Sequence, residues 1–158
     1  MNKTWVIDID GTLVKHLDES EIEKGGREEL VPYAIEFMEG IQKRGDTVVL
    51  TTARPEEFRC LTERMLEEFG IRYDHIIFGL ASRERVLVND IKPIDEDREE
   101  PMPTAYAINL NRNEGFGDVL SQDLWKKPMG AREKVFDLFD LAWFYSGTIS
   151  LALEYKKG

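Results

Sequence analysis

Near its N-terminus the chain reads Trp5-Val6-Ile7-Asp8-Ile9-Asp10-Gly11-Thr12, a short apolar strand followed by acids and a turn. Strand side chains alternate between two faces, and Asp-Gly is a frequent turn dipeptide. If the chain leaves the strand near Ile9, the carboxylates of Asp8 and Asp10 lie over one pocket at the strand's carboxyl end. Two acids there can hold a divalent cation, attack an electrophile or transfer a proton. A turn without a chemical role is the alternative for this motif alone.

Size and composition predict one globular domain. The chain has 158 residues, of which 42% are apolar and 33% are charged, a balance that suits a single hydrophobic core. Charged residues interrupt the first apolar stretch, so we expect neither a signal peptide nor a membrane span. The single cysteine, Cys60, allows no internal disulfide, and we expect a cytoplasmic protein. The net charge of −10 argues against a nucleic-acid partner.

Apolar spacing alternates between strand-like and helix-like segments, which is typical of an α/β domain with a mainly parallel sheet. The predicted strands are residues 4–9, 46–52, 74–79, 85–89 and 104–110. The predicted helices are residues 32–43 and 55–69. Right-handed crossovers would build a three-layer α/β/α sandwich. Open sheets of this kind bind ligands outside the carboxyl ends of their strands.

Polar residues follow two further predicted strands. Thr51, Thr52 and Arg54 follow the second strand, and Asn89 and Asp90 follow the fourth. Arg54 also precedes a predicted helix, where an anion is favoured, and a surface salt bridge is its alternative role. The sequence therefore predicts a polar site shared by three strand ends.

Three motifs together resemble those of the haloacid dehalogenase (HAD) superfamily. They are Asp8-Ile9-Asp10-Gly11-Thr12, the strand that ends in Thr51-Thr52-Ala53-Arg54, and the strand that ends in Asn89-Asp90. The resemblance covers residues 4–110, where the motifs occur in the expected order. It implies one HAD-like domain with a Rossmann-like sheet in the order 5-4-1-2-3. Residues 111–158 lie outside the resemblance, and we expect them to form a C-terminal helical extension of that domain.

The resemblance implies a magnesium-dependent phosphatase that works through an aspartyl-phosphate intermediate. Asp8 would be the nucleophile, and Asp10 would be the general acid and base. The hydroxyl of Thr52 would bind a phosphoryl oxygen, with Thr51 as the alternative. Mg²⁺ would be held by the carboxylate of Asp8, the backbone carbonyl of Asp10 and the carboxylate of Asp90.

The remaining site residues are less sharply defined by the motifs. Those expected to contact the substrate are Gly11, Thr12, Arg54 and Asn89, the last at a position where many HAD members have Asp or Gly. The basic residue that pairs with the nucleophile and the phosphate is expected to be Lys92, with Arg83 as the alternative. Arg85 also lies close to the fourth predicted strand, and a solvent-exposed role is the alternative for each.

Loop lengths predict an enzyme without a large cap. Residues 13–31 and residues 80–84, where HAD enzymes insert cap domains, are too short to hold one. We therefore expect an open pocket, which would admit bulky substrates or the surface of a partner. The expected substrate is a small-molecule phosphomonoester, and a sugar phosphate is the analogy we favour. A receiver-type phosphoacceptor domain and a non-catalytic binding or scaffold protein are the alternatives.

The C-terminal part predicts a further helix over residues 131–145. This segment is apolar almost all round, with Val135, Phe136, Leu138, Phe139, Leu141, Trp143 and Phe144. Covering the edge of the sheet is its preferred role, and a homo-oligomer interface is the alternative.

Overall fold

The computed structural model describes residues 2–96 and 99–121, which form a mixed α/β unit. Its elements are β1 (Thr4–Asp8), α1 (Glu19–Glu23), α2 (Ala34–Lys43), β2 (Thr47–Thr51), a 3₁₀ turn (Glu56–Phe58), α3 (Arg59–Glu68), β3 (His75–Ile77), β4 (Ile91–Lys92), β5 (Met102–Pro103) and α4 (Gly117–Ser121). None of the helices in these two ranges has the length and apolar character needed to cross a membrane. The predicted helix over residues 131–145 lies outside the described residues.

The central sheet has three parallel strands in the order β1-β2-β3. Helix α2 makes the crossover from β1 to β2, and α3 makes the crossover from β2 to β3, as parallel neighbours require. Asp8 at the end of β1 lies opposite Thr51 at the end of β2. The α/β class and the 1-2-3 part of the predicted strand order are therefore confirmed.

Two predicted strands are absent from the described structure. Residues 85–89 and 104–110 form no strand, and the two-residue strands β4 and β5 pair antiparallel in the interval between them. Val86 and Val88 are 86% and 89% exposed. The prediction rested on the apolar character of these runs, but a strand also needs a hydrogen-bonding edge, and neither run pairs with β1. The described sheet accordingly has three strands rather than five.

The two segments where a cap was considered hold no domain. Residues 13–31 contain one five-residue helix, α1, and residues 80–84 contain no helix or strand. Hydrogen bonds close the base of the first segment, from Lys15 N to Glu29 O at 2.8 Å and from Val31 N to Leu13 O at 3.0 Å. This segment is a short flap with an anchored base.

One apolar core unites the sheet with α2 and α3. Helix α2 buries Ala34, Phe37, Met38 and Ile41, the spacing of a single helix face. The ring of Phe37 meets Trp5 edge-on and stacks on Phe116, with centroid separations of 5.3 and 4.2 Å. The same cluster includes Ile7, Ile9, Val48, Leu50, Met65 and Leu66.

A buried carboxylate ties the start of β1 to the start of β2. Asp46 accepts hydrogen bonds from Lys3 N at 3.0 Å and from Trp5 Nε1 at 2.8 Å, and it pairs with Arg44. Burial acts to raise the pKa of Asp46, but these hydrogen bonds outweigh burial and lower the pKa below its ordinary value of 3.8. The ionised form of Asp46 therefore stabilises the fold.

We predict that Asp46→Asn lowers the free energy of unfolding at pH 7 by about 2 kcal/mol, because charge-assisted hydrogen bonds are lost. A carboxyl group with a lowered folded pKa stabilises the fold above its unfolded pKa. That stability is lost as the pH falls through the folded pKa. The difference between wild type and variant in urea denaturation should therefore shrink below about pH 4. Glu39→Gln, on exposed α2 surface, is the control and should change stability by less than about 0.5 kcal/mol.

Candidate active site

The chain leaves β1 at Asp8 through a tight turn. Three successive amides, those of residues 12–14, donate to the carbonyl oxygen of Ile9 at 2.9 to 3.3 Å. Gly11 has a φ of +84°, in the left-handed region that favours glycine. This turn carries the Asp10 side chain towards the residues that follow β2.

Asp10 and the residues after β2 form a hydrogen-bonded network. Thr52 Oγ1 donates to Asp10 Oδ2 at 2.9 Å. Arg54 donates to Asp10 Oδ1 from Nε at 3.0 Å and from Nη2 at 2.7 Å. The backbone amide of Arg54 donates to Thr52 Oγ1 at 3.0 Å, so the hydroxyl of Thr52 is fixed between the two residues.

The Arg54 side chain is buried rather than exposed. It is 3% exposed, and it also donates to Glu28 Oε1 at 2.5 Å and to Thr62 Oγ1 at 3.1 Å. Burial acts to lower the pKa of Arg54, but hydrogen bonds and opposite charges from Asp10 and Glu28 outweigh it and raise the pKa. The surface salt bridge considered for Arg54 is therefore wrong, and its contacts are with protein carboxylates.

Asp8 lies on the open side of this network. Its side chain is 37% exposed, and Arg85 Nη2 lies 3.2 Å from its Oδ1. Partial burial raises the pKa of Asp8 above its ordinary value of 3.8, Arg85 acts against this effect, and Asp10 adds to it. Arg112 and His16 also act to lower the pKa of Asp8. Asp8 is thus an accessible carboxylate among cationic side chains.

The loop of residues 110–116 forms a second wall against the turn. Asn113 N donates to Gly11 O at 2.8 Å, and His16 N donates to Asn113 Oδ1 at 2.8 Å. The side chain of Arg112 lies over Gly11, where an added Cβ would come within 2.9 Å of Arg112 Cγ. Any residue other than glycine at position 11 would therefore displace Arg112 as well as strain the backbone.

The end of this loop is fixed on the core. Phe116 N donates to Pro32 O at 3.0 Å, and the Phe116 ring is buried in the core cluster. Gly115 has a φ of +83°, and a Cβ there would lie 2.2 Å from Pro32 O. The close approach of two backbone segments thus requires glycine at this position.

Three predicted site residues lie together in a different, exposed cluster. Lys92 Nζ donates to Asp90 Oδ2 at 2.8 Å, and Thr104 Oγ1 donates to Asp90 Oδ1 at 3.1 Å. Asn89 Nδ2 donates to Thr104 O at 3.4 Å. The hydrogen bonds from Lys92 and Thr104 lower the pKa of Asp90. The structure therefore brings Asp8, Asp10, Thr52 and Arg54 together but leaves Asn89, Asp90 and Lys92 outside.

The predicted magnesium ligands are incomplete in this arrangement. Among residues 2–96 and 99–121, no group of three or more His, Cys, Asp or Glu side chains is placed to hold a metal ion. Asp8 and Asp10 adjoin each other, but Asp90 bonds to Lys92 and Thr104 instead. The described residues do not by themselves form the predicted site.

Of the three basic residues near the fourth predicted strand, the structure places Arg85 at Asp8. Lys92 pairs with Asp90, and the described contact of Arg83 is its carbonyl oxygen, which accepts from Arg85 Nη1 at 2.9 Å. Local sequence could not select among these residues, because the choice depends on how the exposed segment lies across the site.

Glu28, Thr62 and Arg112 also lie at the site and were not predicted. Glu28 has no local motif, whereas Arg112 follows the fifth predicted strand and could have been identified by that position. The structure favours Thr52 over Thr51 as the hydroxyl that could bind a phosphoryl oxygen. Thr51 Oγ1 donates to Ile7 O at 3.3 Å within the sheet, whereas Thr52 Oγ1 donates to Asp10. Thr12 is half-buried in the turn, next to Gly11.

Comparison of the chain with protein-family models, with curated proteins and with solved structures found no match.

We predict that Gly115→Ala destabilises the protein more than Gly70→Ala. Both glycines are left-handed, but a Cβ at Gly70 meets nothing within 4 Å, whereas a Cβ at Gly115 collides with Pro32. Backbone strain alone should cost about 1 kcal/mol at position 70. Urea denaturation should show a clearly larger loss at position 115, and equal losses would contradict the docking of this loop.

Proposed function

We propose that the protein is a HAD-type phosphomonoester hydrolase that forms an aspartyl-phosphate intermediate on a phosphorylated metabolite. One observation carries the proposal. The parallel pairing of β1 with β2 gathers Asp8, Asp10 and Thr52 at one edge of the sheet, with Asp8 open to solvent. The resemblance of three motifs to those of HAD enzymes supports the same function.

In the proposed reaction an Oδ atom of Asp8 attacks phosphorus, and the bond between phosphorus and the ester oxygen breaks. The nucleophile must be ionised, which its partial burial opposes and the charge of Arg85 favours. Arg85 is also placed to donate to the phosphoryl oxygens, which carry the negative charge of the transition state. In the described arrangement Arg85, rather than Lys92 or Arg83, contacts Asp8. A strand formed by residues 85–89, as proposed below, would move Arg85 to the opposite end of that strand, and Lys92, which follows Asp90, would then take the basic role.

Asp10 would complete both half-reactions. A proton on Asp10 passes to the departing oxygen, and the resulting carboxylate then accepts a proton from the water that hydrolyses the phosphoenzyme. The Thr52 hydroxyl, already hydrogen-bonded to Asp10, would donate to a phosphoryl oxygen. This role requires Thr52 to exchange one partner for the substrate.

Magnesium dependence is part of the proposal, with Asp8, the backbone carbonyl of Asp10 and Asp90 as the expected ligands. A bound Mg²⁺ would offset the negative charge of the phosphoryl group. In the described arrangement Asp90 lies outside the site, bonded to Lys92 and Thr104.

We also propose that residues 85–89 extend the sheet in the active enzyme along the edge of β1 that pairs with no strand among the described residues, completing the three-layer sandwich. Val86, Leu87 and Val88 are exposed apolar residues, and Val6 on β1 is 58% exposed, so pairing would bury apolar surface on both segments. A strand in this place would also bring its end, at Asp90, to the carboxyl edge that holds Asp8.

Hydrogen exchange tests this extension. If residues 86–88 pair with β1, alternate amides in this run should exchange at least about tenfold more slowly than those of the equally exposed residues 81–84. Addition of Mg²⁺ should increase the protection. Exchange at the same fast rate in both segments, with and without Mg²⁺, would contradict the five-stranded sheet.

The short flap and the absence of a domain in residues 13–31 support an open pocket. Such a pocket admits a substrate whose leaving group extends into solvent. A sugar phosphate remains our favoured substrate class by analogy.

A non-catalytic phosphate-binding or scaffold role is the second candidate. The observation that favours it is that both carboxylate oxygens of Asp10 are already engaged by Thr52 and Arg54.

A receiver-type phosphoacceptor would instead retain the phosphoryl group, so acetyl phosphate would give a stable phosphoprotein rather than turnover.

The central prediction is that the purified protein hydrolyses p-nitrophenyl phosphate and a subset of phosphorylated metabolites when Mg²⁺ is present. Asp8→Asn should lower kcat by at least about 1,000-fold, because the nucleophile is lost. Asp118→Asn, at an exposed acid on α4, is the control and should keep wild-type activity.

Asp8→Asn should also keep the fold of the wild type, since partial burial disfavours the negative charge that this substitution removes. Its circular dichroism spectrum should match that of the wild type. Equal turnover by Asp8→Asn and wild type would remove Asp8 from the mechanism, and no turnover over a broad phosphate panel would favour the binding role.

A further inference from the structure

The Arg54 guanidinium is shared between Asp10 and a second carboxylate, Glu28. Its Nη2 lies 2.7 Å from Asp10 Oδ1 and 2.5 Å from Glu28 Oε1. The side chains of Arg54, Asp10 and Glu28 are 3%, 17% and 12% exposed. Charges this far from solvent are stable only when their partners are correctly placed, so each member of the group restrains the other two.

Three separate segments fix the orientation of the Arg54 fork. Asp10 holds Nε and Nη2 from the turn after β1, Glu28 holds Nη2 from the flap, and Thr62 on α3 accepts from Nη1 at 3.1 Å. A guanidinium is planar and its five N–H groups have fixed directions. Loss of one partner therefore allows the whole fork to pivot about the other two.

The backbone around Glu28 is itself anchored. The carbonyl of the next residue, Glu29, accepts from Lys15 N at 2.8 Å, and Val31 N donates to Leu13 O at 3.0 Å. These hydrogen bonds tie the far end of the flap to the residues just after Asp10. The backbone that carries Glu28 is therefore held by hydrogen bonds to residues that follow the Asp10 turn.

We propose that Glu28 is a positioning residue that orients the Asp10 carboxyl group through Arg54, and this inference rests on the proposed phosphatase function. Asp10 can protonate a leaving oxygen only if Oδ2, which Thr52 releases when it donates to the substrate, points towards the ester. Arg54 determines that direction, and Glu28 determines where Arg54 lies. Glu28 contacts neither the reacting atoms nor Asp8 among the described residues.

The test uses two substrates that differ in their need for an acid. Phenyl phosphate has a poor leaving group, which needs a proton from Asp10, whereas p-nitrophenolate leaves readily without one. Glu28→Gln should lower kcat/KM for phenyl phosphate by about tenfold or more, since small misplacements of a catalytic group are costly. The loss for p-nitrophenyl phosphate should be at most about threefold. A purely structural role would lower both values equally.

Glu29→Gln is the matched control. Glu29 is the adjacent acid, its side chain is 60% exposed, and it pairs with Lys15 rather than Arg54. This variant should retain wild-type kcat/KM for both substrates. Equal losses in Glu28→Gln and Glu29→Gln would overturn the proposal.

Thr62→Val provides an independent variant if Glu28→Gln does not fold. It releases Nη1 of Arg54 without changing any charge, and it should reproduce the selective loss for phenyl phosphate.

On an Asp10→Asn background, Glu28→Gln should cause no further loss with phenyl phosphate, because its effect passes through Asp10. A further loss there would overturn the proposal.

The outcomes separate this inference from the proposed function. If the wild type hydrolyses both substrates and Glu28→Gln or Thr62→Val reduces them in parallel or not at all, only the role of Glu28 fails. If the wild type hydrolyses neither substrate nor any phosphorylated metabolite, the phosphatase function itself fails.

Discussion

The parallel pairing of β1 with β2 is the constraint on which the rest of the site depends. In this register Asp8 stands opposite Thr51, so the chain leaves both strands at the same edge of the sheet. Asp10 then meets Thr52 and Arg54, which follow it by 42 and 44 residues. Asp10 and Thr52 come within contact distance only because α2 packs on the sheet and returns the chain so that β2 runs parallel to β1. A slip by one residue would reverse the faces of β2 and separate these side chains.

The buried Arg54 side chain holds Asp10 and Glu28 in fixed positions at the site. An isolated guanidinium in this place would be strongly unfavourable, and removing one partner from a buried ion pair typically costs about 3 to 5 kcal/mol. Here the cost is offset by two carboxylates and the Thr62 hydroxyl. The arrangement therefore couples the first motif to the flap and to α3. The same coupling explains why the network tolerates little freedom in the direction of Asp10.

Sequence patterns located the elements of the described sheet well, because each of β1, β2 and β3 is encoded by a short local run. They did not determine the placement of residues 85–89, because apolar character alone cannot specify which edge of a sheet a segment pairs with. Within α3 the apolar residue Leu61 is 37% exposed, whereas the neighbouring polar residue Thr62 is fully buried. The Thr62 hydroxyl accepts a hydrogen bond from Arg54. The spacing of apolar residues gives no information about such a polar contact. Glu28 was missed for the same reason, since its partner lies 26 residues away.

The two acids of the first motif occupy unequal environments, and this difference matches the division of labour in the proposed reaction. A nucleophile needs access to phosphorus, and Asp8 faces solvent beside an arginine that is itself 38% exposed. A group that donates and then accepts a proton needs a fixed direction more than access, and Asp10 is held by buried partners. In the described arrangement the substrate should therefore approach over Asp8 and Arg85, with Arg112 and the loop of residues 110–116 forming the wall beside it.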